Sequence, residues 1–274
     1  MRRAVFFDID GTILDSMNGK VEMTPAVSAA IRKLQEEGDY VFIATGRPAS
    51  FITEYLTSFG FDGFLLNNGA YITMGDQVLY KEALDKKFVK DFTTALDEAG
   101  IQYILQGERH SYLKKAFNRF GEFFEGLAIR NDKIKREFNV DEIEVLKIEV
   151  LCGCDEIEAK CKALLEHYPE YEYFFSVSNI LLEVHAKENT KGKGILRVLE
   201  TLDIPLSESY AFGDGSNDKD MLQVVGCGIA MGNATDEVKS YADQITAHVH
   251  EDGVAKGIYQ FILDKGEKNK ERCS

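Results

Sequence analysis

The sequence predicts an α/β fold, in which a doubly wound, mostly parallel sheet carries an inserted α+β domain. Three observations support this. Short apolar runs recur along the chain and stop abruptly at polar motifs. Amphipathic stretches of helical period lie between them. The middle of the chain breaks that alternation.

The apolar runs are "AVFF" before Asp8, "YVFIA" before Thr45-Gly46-Arg47, "GFLL" before Asn67-Asn68-Gly69, "SYAF" before Gly213-Asp214-Gly215-Ser216-Asn217-Asp218, and "GIAM" before Gly232-Asn233-Ala234. Continuous apolar runs suit parallel strands buried on both faces. "TPAVSAAIRKLQEEG" reads as a helix, with Thr24 as N-cap, Pro25 in the first turn, Val27, Ile31 and Leu34 on one face, and Gly38 ending it. "KGKGILRVLETL" and "NDKDMLQVVG" read similarly. Strands alternating with helices indicate an α/β sheet. Ligands of such sheets bind outside the carboxyl ends of the strands. The polar motifs all occupy those ends, so distant segments are expected to converge on one site.

Residues 82–185 differ. Helical stretches near 85–99 and 155–167 flank strand-like "IQYIL", "EVLKIEVL", "YEYFFSV" and "ILLEVH". Ser178-Asn179 is placed to turn a hairpin between the last two. The expected organisation is a core of residues 1–81 and 186–274 interrupted by an α+β insertion over 82–185.

Composition bounds the function. A formal net charge of −14 argues against a nucleic-acid partner, which calls for a basic stripe. Small phosphorylated ligands stay compatible, because a few local cations or a metal outweigh the global field. The five cysteines are odd in number, and Cys152-x-Cys154 with Cys161 lacks zinc-knuckle spacing. No apolar stretch reaches about 18 residues, so no membrane partner is expected. The expectation is a soluble cytoplasmic protein, monomeric or homodimeric, with a charged tail, "DKGEKNKERCS", that frays.

The chemistry begins at Asp8. A carboxylate at a strand end is a nucleophile toward phosphorus, provided that a cation offsets the charge of both reactants. Mg²⁺ binds through one or two carboxylates plus substrate phosphate. Asp8 and Asp214 are candidate ligands, with Asp218 nearby. Asp10, two residues on, is the candidate general acid and base, with its main-chain carbonyl in reach of the metal. Thr45 and the amides of the following turn are candidates to hold a phosphoryl oxygen, and Asn217 to donate to another. Lys191 and Lys193 compete to neutralise Asp8 and the phosphoryl group. Taken singly, each of these residues also reads as a turn, a cap or a solvated lysine.

Together, these residues resemble the haloacid dehalogenase superfamily of phosphatases, in its Cof-like branch with a large cap. Asp8-Ile9-Asp10-Gly11-Thr12 is similar to the first motif, Thr45 in "ATGR" to the second, Lys191 in "KGKGIL" to the third, and Gly213 to Asp218 to the fourth, which holds Mg²⁺. "NNGA" (67–70) and "DGVAKGI" (252–258) resemble that branch too. The resemblance implies a Rossmann-like core and an inserted cap that closes over the site and reads the leaving group. It also implies a small flap over residues 11–22. It favours Lys191 over Lys193. The catalytic set it implies is Asp8, Asp10, Thr45 and Lys191. Thr45, Gly46, Arg47, Asn68, Gly69, Lys191 and Asn217 are expected to bind substrate, and Asp8, Asp10, Asp214 and Asp218 to hold Mg²⁺.

The implied activity is Mg²⁺-dependent hydrolysis of a small phosphate ester, such as a sugar phosphate or cofactor phosphate, through an aspartyl-phosphate. A phosphosugar mutase would share the motifs. A non-catalytic phospho-acceptor switch would share the aspartate, threonine, lysine and metal, but carries its acceptor on a later strand in a shorter domain. In the cap, Arg109, His110, Lys114, Lys115 and Arg119 either meet an anionic substrate tail or are solvated around a buried stripe of Phe117, Phe120 and Phe124.

Overall fold

The apolar runs become strands. The computed structural model describes residues 2–126, 131–176 and 180–264. In chain order, β1 (Ala4–Phe7), β2 (Tyr40–Ala44), β3 (Gly63–Leu66), β4 (Tyr71–Met74) and β5 (Gln77–Lys81) precede the inserted segment. That segment contributes β6 (Tyr103–Gln106), β7 (Ser111–Tyr112), β8 (Ile134–Lys135), β9 (Lys147–Leu151), β10 (Tyr171–Ser176) and β11 (Leu181–Ala186). β12 (Ser209–Gly213), β13 (Cys227–Ala230) and β14 (Gln244–Ile245) follow it. The chain divides into two compact units, one of Met1–Gly46, Glu54–Tyr80 and Thr190–Ser274, the other of Arg47–Thr53 and Lys81–Asn189.

In the first unit the strand order is β14-β13-β12-β1-β2-β3-β4-β5. Pairing is parallel from β14 through β3, and β4 returns antiparallel on β3. The chain winds outward from β1 through β2 and β3, then restarts at β12 on the other side of β1. The topological switch point therefore lies between β1 and β12, where such sheets bind ligands. β1 is fully buried on both faces. Phe6 stacks on Phe42 and Phe7 on Phe212, each pair with ring centroids 5.2 Å apart. Such pairs add about 0.5–1.5 kcal/mol each beyond their area burial. They clamp the central strands whose ends carry the polar motifs.

The helices start and stop where their caps predict. The Thr24 hydroxyl accepts from the Val27 amide at 3.2 Å, Pro25 fills the first position, and the helix Pro25–Glu36 buries Val27, Ile31 and Leu34. The helix Lys191–Leu202 begins behind Thr190, whose hydroxyl accepts from the Lys193 amide. Its Ile195, Val198 and Leu199 pack against Phe6, Phe42 and Leu65. Residues 15 and 20 form an antiparallel bridge around the short turn Ser16–Asn18, as the flap resemblance implies.

The second unit is α+β. Its sheet runs β10-β11-β9-β6-β7-β8, antiparallel except where β7 meets β8. One sheet face packs Tyr103, Leu105, Ile148, Val150, Leu182 and Val184 against Phe88, Phe92 and Cys161 of two helices. The alternate residues of the same strands include, beside apolar Ile104, Leu151 and Leu181, five that are polar yet buried: Gln106, Lys147, Glu149, Glu183 and His185. Lys147 Nζ lies 2.8 Å from Glu149 and 2.5 Å from Glu183. The Ser178-Asn179 turn lies outside the described residues, although β10 and β11 pair antiparallel as a hairpin requires. The charged tail beyond Asp264 also lies outside them.

Lys114 pairs with Asp97, Lys115 with Glu137, and Arg109 is largely exposed beside Glu108. Phe120 is fully buried and Phe117 packs against Tyr103, while the Phe124 side chain lies outside the described set. The cysteines Cys152, Cys154, Cys161 and Cys227 form no disulfide. Burial pushes Cys161 up to about 12, which makes it a poor metal ligand.

Candidate active site

Four strand ends of the first unit deliver the candidate residues. β1 hands over Asp8, which is 6% exposed. β2 ends into Thr45, β3 into Asn67 and Asn68, and β12 into Asp214. The β2 and β3 ends are tied together by backbone. The Asn68 amide donates to the Thr45 carbonyl at 3.0 Å, and the Thr45 amide donates to Leu65 at 2.8 Å. Asn67 and Asn68 hold left-handed backbone, at φ 49° and 55°. Asparagine is among the few L-residues that accept this geometry readily.

Lys191 Nζ lies 2.6 Å from Asp8 Oδ1 and 2.6 Å from Asp218 Oδ1, with all three side chains buried. Of the two competing lysines, Lys191 is the one that meets these carboxylates. Lys193, two residues on, projects from roughly the opposite side of the helix, and its amide is held by the helix cap. Burial alone would discharge Lys191, but Asp218 and Asp8 outweigh it and raise its pKa. Asp218 uses both carboxylate oxygens. Oδ1 meets Lys191, and Oδ2 accepts from the amides of Asp214 and Gly215 at 2.9 and 2.8 Å. A side chain on Gly213 would place its Cβ 2.6 Å from that carboxylate.

Asp8, Asp214 and Asp218 each offer an oxygen within 4.8 Å of the others. Three carboxylates around one ammonium leave an excess of negative charge. Burial raises Asp8 to about 7, against the pull of Lys191 and with added repulsion from Asp218 and Asp10. Asp214 rises to about 8, through burial and then repulsion from Asp8 and Asp218. A donor set of carboxylate oxygens, with no sulfur or imidazole and with surplus negative charge, fits a hard dication such as Mg²⁺. Asp10 stands apart. Its side chain is exposed and is not part of this carboxylate group.

The phosphoryl side of the site is polar and close. Asn217 Nδ2 donates to Asn68 Oδ1 at 3.0 Å, which aligns the two carboxamides. Asn68 Nδ2 is buried without a hydrogen-bond partner. A Cβ on Gly46 would lie 3.1 Å from Asn68 Oδ1. Gly69 takes φ 93° beside the Thr190 carbonyl. Arg47 clusters with the second unit instead, and its guanidinium donates to the Phe51 carbonyl at 3.2 Å.

Residues 5–258 match the family model of haloacid dehalogenase-like hydrolases. The chain belongs to this family. Within it, the chain falls on the Cof-like phosphatase branch that the motifs resemble. YkrA of Bacillus subtilis is 31% identical, over 96% of this chain and 99% of its own. The 5-amino-6-(5-phospho-D-ribitylamino)uracil phosphatase YcsE of the same organism is 29% identical, over 95% of this chain and 96% of its own. Among solved structures, a sugar phosphatase of haloacid dehalogenase subclass IIB superposes with a TM-score of 0.82 at 30% identity, covering 94% of this chain and 98% of its own. A protein of Geobacillus kaustophilus reaches 0.84 at 30% identity, covering 96% of this chain and 100% of its own.

Two residues of this haloacid dehalogenase-like site were quoted in the first motif but given no role from sequence. The Thr12 hydroxyl donates to Asp214 Oδ1 at 2.8 Å. Gly11, at φ 85°, lies so near Asp214 that a Cβ there would sit 2.1 Å from Oδ2. Both belong to the D-x-D-G-T motif, and their place beside Asp8 and Asp10 in that motif was the available signal. Among the described residues, no helix is long and apolar enough to cross a membrane.

Proposed function

We propose that the chain is a Mg²⁺-dependent phosphatase that hydrolyses small phosphate monoesters through an aspartyl-phosphate on Asp8. The observation that carries this reading is the buried Asp8–Lys191–Asp218 ion triad at the switch point, with the Asp214 carboxylate within 4.8 Å of the triad's carboxylates.

Asp8 and Asp214 would hold the metal, with the Asp10 carbonyl oxygen as a further donor. When bound, Mg²⁺ offsets the charge of the phosphoryl group and of its attacker. Asp218, with both oxygens engaged, holds Lys191 and the Asp214 backbone in place. Lys191, Thr45, the Gly46 and Gly69 backbone, Asn68 and Asn217 are the groups proposed to bind the phosphoryl oxygens.

The Asp8 carboxylate attacks phosphorus, and the bond from phosphorus to the ester oxygen breaks. The Asp10 carboxyl gives its proton to that leaving oxygen. A water then attacks the same phosphorus while the Asp10 carboxylate takes its proton. The bond from phosphorus to Asp8 breaks, and inorganic phosphate leaves with both carboxyls restored. The exposed side chain of Asp10 suits a group that must meet both a leaving group and a water.

Sugar, polyol and cofactor monophosphates are the substrate class proposed, supported by the sugar phosphatase and the ribitylaminouracil phosphatase among the relatives. The test is phosphate release from a panel of such esters with Mg²⁺, ranked by kcat/KM, for the wild type and Asp8→Asn. Turnover that survives Asp8→Asn sinks the mechanism. Isomerised sugar phosphate without stoichiometric free phosphate would replace it with a mutase.

A further inference from the structure

β13 ends at Ala230, and Met231-Gly232-Asn233 leave the sheet at the same edge as the candidate site. The carboxamide of Asn233 is used at both ends. Nδ2 donates to the Gly11 carbonyl at 2.8 Å, and Oδ1 accepts from the Val249 amide at 2.9 Å. One side chain therefore joins the turn after β1 to the short turn Val249–Glu251.

Gly11 is a consequential place to anchor. It follows Asp10 and precedes Thr12, whose hydroxyl binds Asp214. Its own backbone, at φ 85°, presses against the Asp214 carboxylate. The anchoring turn is itself fixed to the flap at a second point. Lys20 Nζ donates to the Val249 carbonyl, and His250 meets Asp15 at 2.9 Å.

We propose that Asn233 is a positioning residue for phosphoryl transfer. It holds the Gly11 carbonyl so that Asp10 and Thr12, on either side, keep their register to Asp8 and Asp214. Only a side chain with a donor and an acceptor on one short planar group satisfies both partners. An ionised carboxylate there would keep the Val249 bond, but would face the Gly11 carbonyl oxygen with a second acceptor. This inference rests on the phosphatase reading of the site.

Asn233→Asp and Asn233→Ala test it, by steady-state kinetics with Mg²⁺ across pH on an ester that the wild type turns over, alongside thermal melts. Loss of an outer hydrogen-bond partner at such sites costs roughly 10–100-fold in activity. The expected loss falls on kcat, with KM changed less than about threefold. Asn233→Asp is expected to recover kcat as pH falls through its own carboxyl ionisation, because the protonated acid regains the donor toward Gly11. Asn233→Ala, with no titratable group, is expected to show no such recovery. A merely structural role would lower the melting temperature of both variants without that acid-side rescue. Wild-type kcat in either variant, or a loss in Asn233→Asp that is the same at every pH, overturns the positioning role alone. A wild type that hydrolyses no ester in the panel overturns the phosphatase reading, and this inference with it.

Discussion

Lys191 Nζ stands 2.6 Å from one oxygen of Asp8 and 2.6 Å from one oxygen of Asp218, and it is fully enclosed. A single buried ammonium thus serves two carboxylates that arrive from opposite sides of the switch point. Removing it would strand both.

Lys191→Met keeps the volume and deletes the charge. Breaking a buried pair from one side costs about 3–5 kcal/mol, because the remaining charge is left unsatisfied. Activity should fall roughly 10²–10³-fold, the range seen when one group stabilising transition-state charge is removed. Denaturant melts and kcat/KM measure the two losses. A variant within about 1 kcal/mol of the wild type would show that the triad is not structurally committed.

Asp10→Asn separates the two halves of the reaction. The side chain is exposed, so the fold should melt as the wild type does. An aryl phosphate has a leaving group that needs little protonation, so Asp8 should still be phosphorylated. Attack by water loses its base, and turnover should drop about 10²–10⁴-fold. The expected trace is a burst of phenolate equal to the enzyme, then a slow steady state. Unchanged turnover would remove Asp10 from the mechanism.

Much of this arrangement was legible in the sequence, and the remainder was not for identifiable reasons. Apolar runs ending at Asp8, Thr45, Asn68 and Asp214 announce buried parallel strands, and parallel strands share one carboxyl edge. The identity of the buried lysine was decided by the motif resemblance and not by local pattern. Lys191 and Lys193 share a helix start, and the ammonium that meets Asp8 and Asp218 is that of Lys191. Asn233 was legible only as part of a polar strand-end motif, because its partner, Gly11, lies 222 residues away and no local rule links them. In the inserted unit, "KIEVL" and "LLEVH" alternate as half-exposed strands do. Yet Lys147, Glu149 and Glu183 are buried, because the polar face satisfies its own charges.

The metal reading predicts an unusual dependence of stability on pH. Asp8 and Asp214 have folded pKa values of about 7 and 8, raised mainly by burial above the ordinary aspartate value. Protonation therefore favours the folded state. That stabilisation is complete below the unfolded value near pH 4 and disappears as pH rises through 7 and 8. In EDTA, the melting temperature should decline from pH 5 to pH 9. Mg²⁺ competes with those protons, so its stabilising effect should grow with pH and flatten the curve. Equal stabilisation by Mg²⁺ at pH 5 and pH 9 would separate the ion from these carboxylates.

Lys147 poses the same electrostatic problem in a unit with no assigned chemistry. It is 1% exposed between Glu149 and Glu183, which are 5% and 7% exposed. The glutamates outweigh burial and raise its pKa, while burial raises that of Glu149. Lys147→Met would leave two acids enclosed without a cation. The expected loss is about 3–5 kcal/mol at neutral pH. Stability should return on acidification, because a buried unpaired glutamate is protonated in the folded state before the unfolded one. Replacing all three residues by apolar ones of similar size should restore stability, or exceed the wild type by about 1–4 kcal/mol. Urea melts of the single and triple variants at pH 5 and pH 8 decide the matter. A single variant that loses nothing at pH 8, or a triple variant as unstable as the single, would show that the triad is held by something other than its own charges.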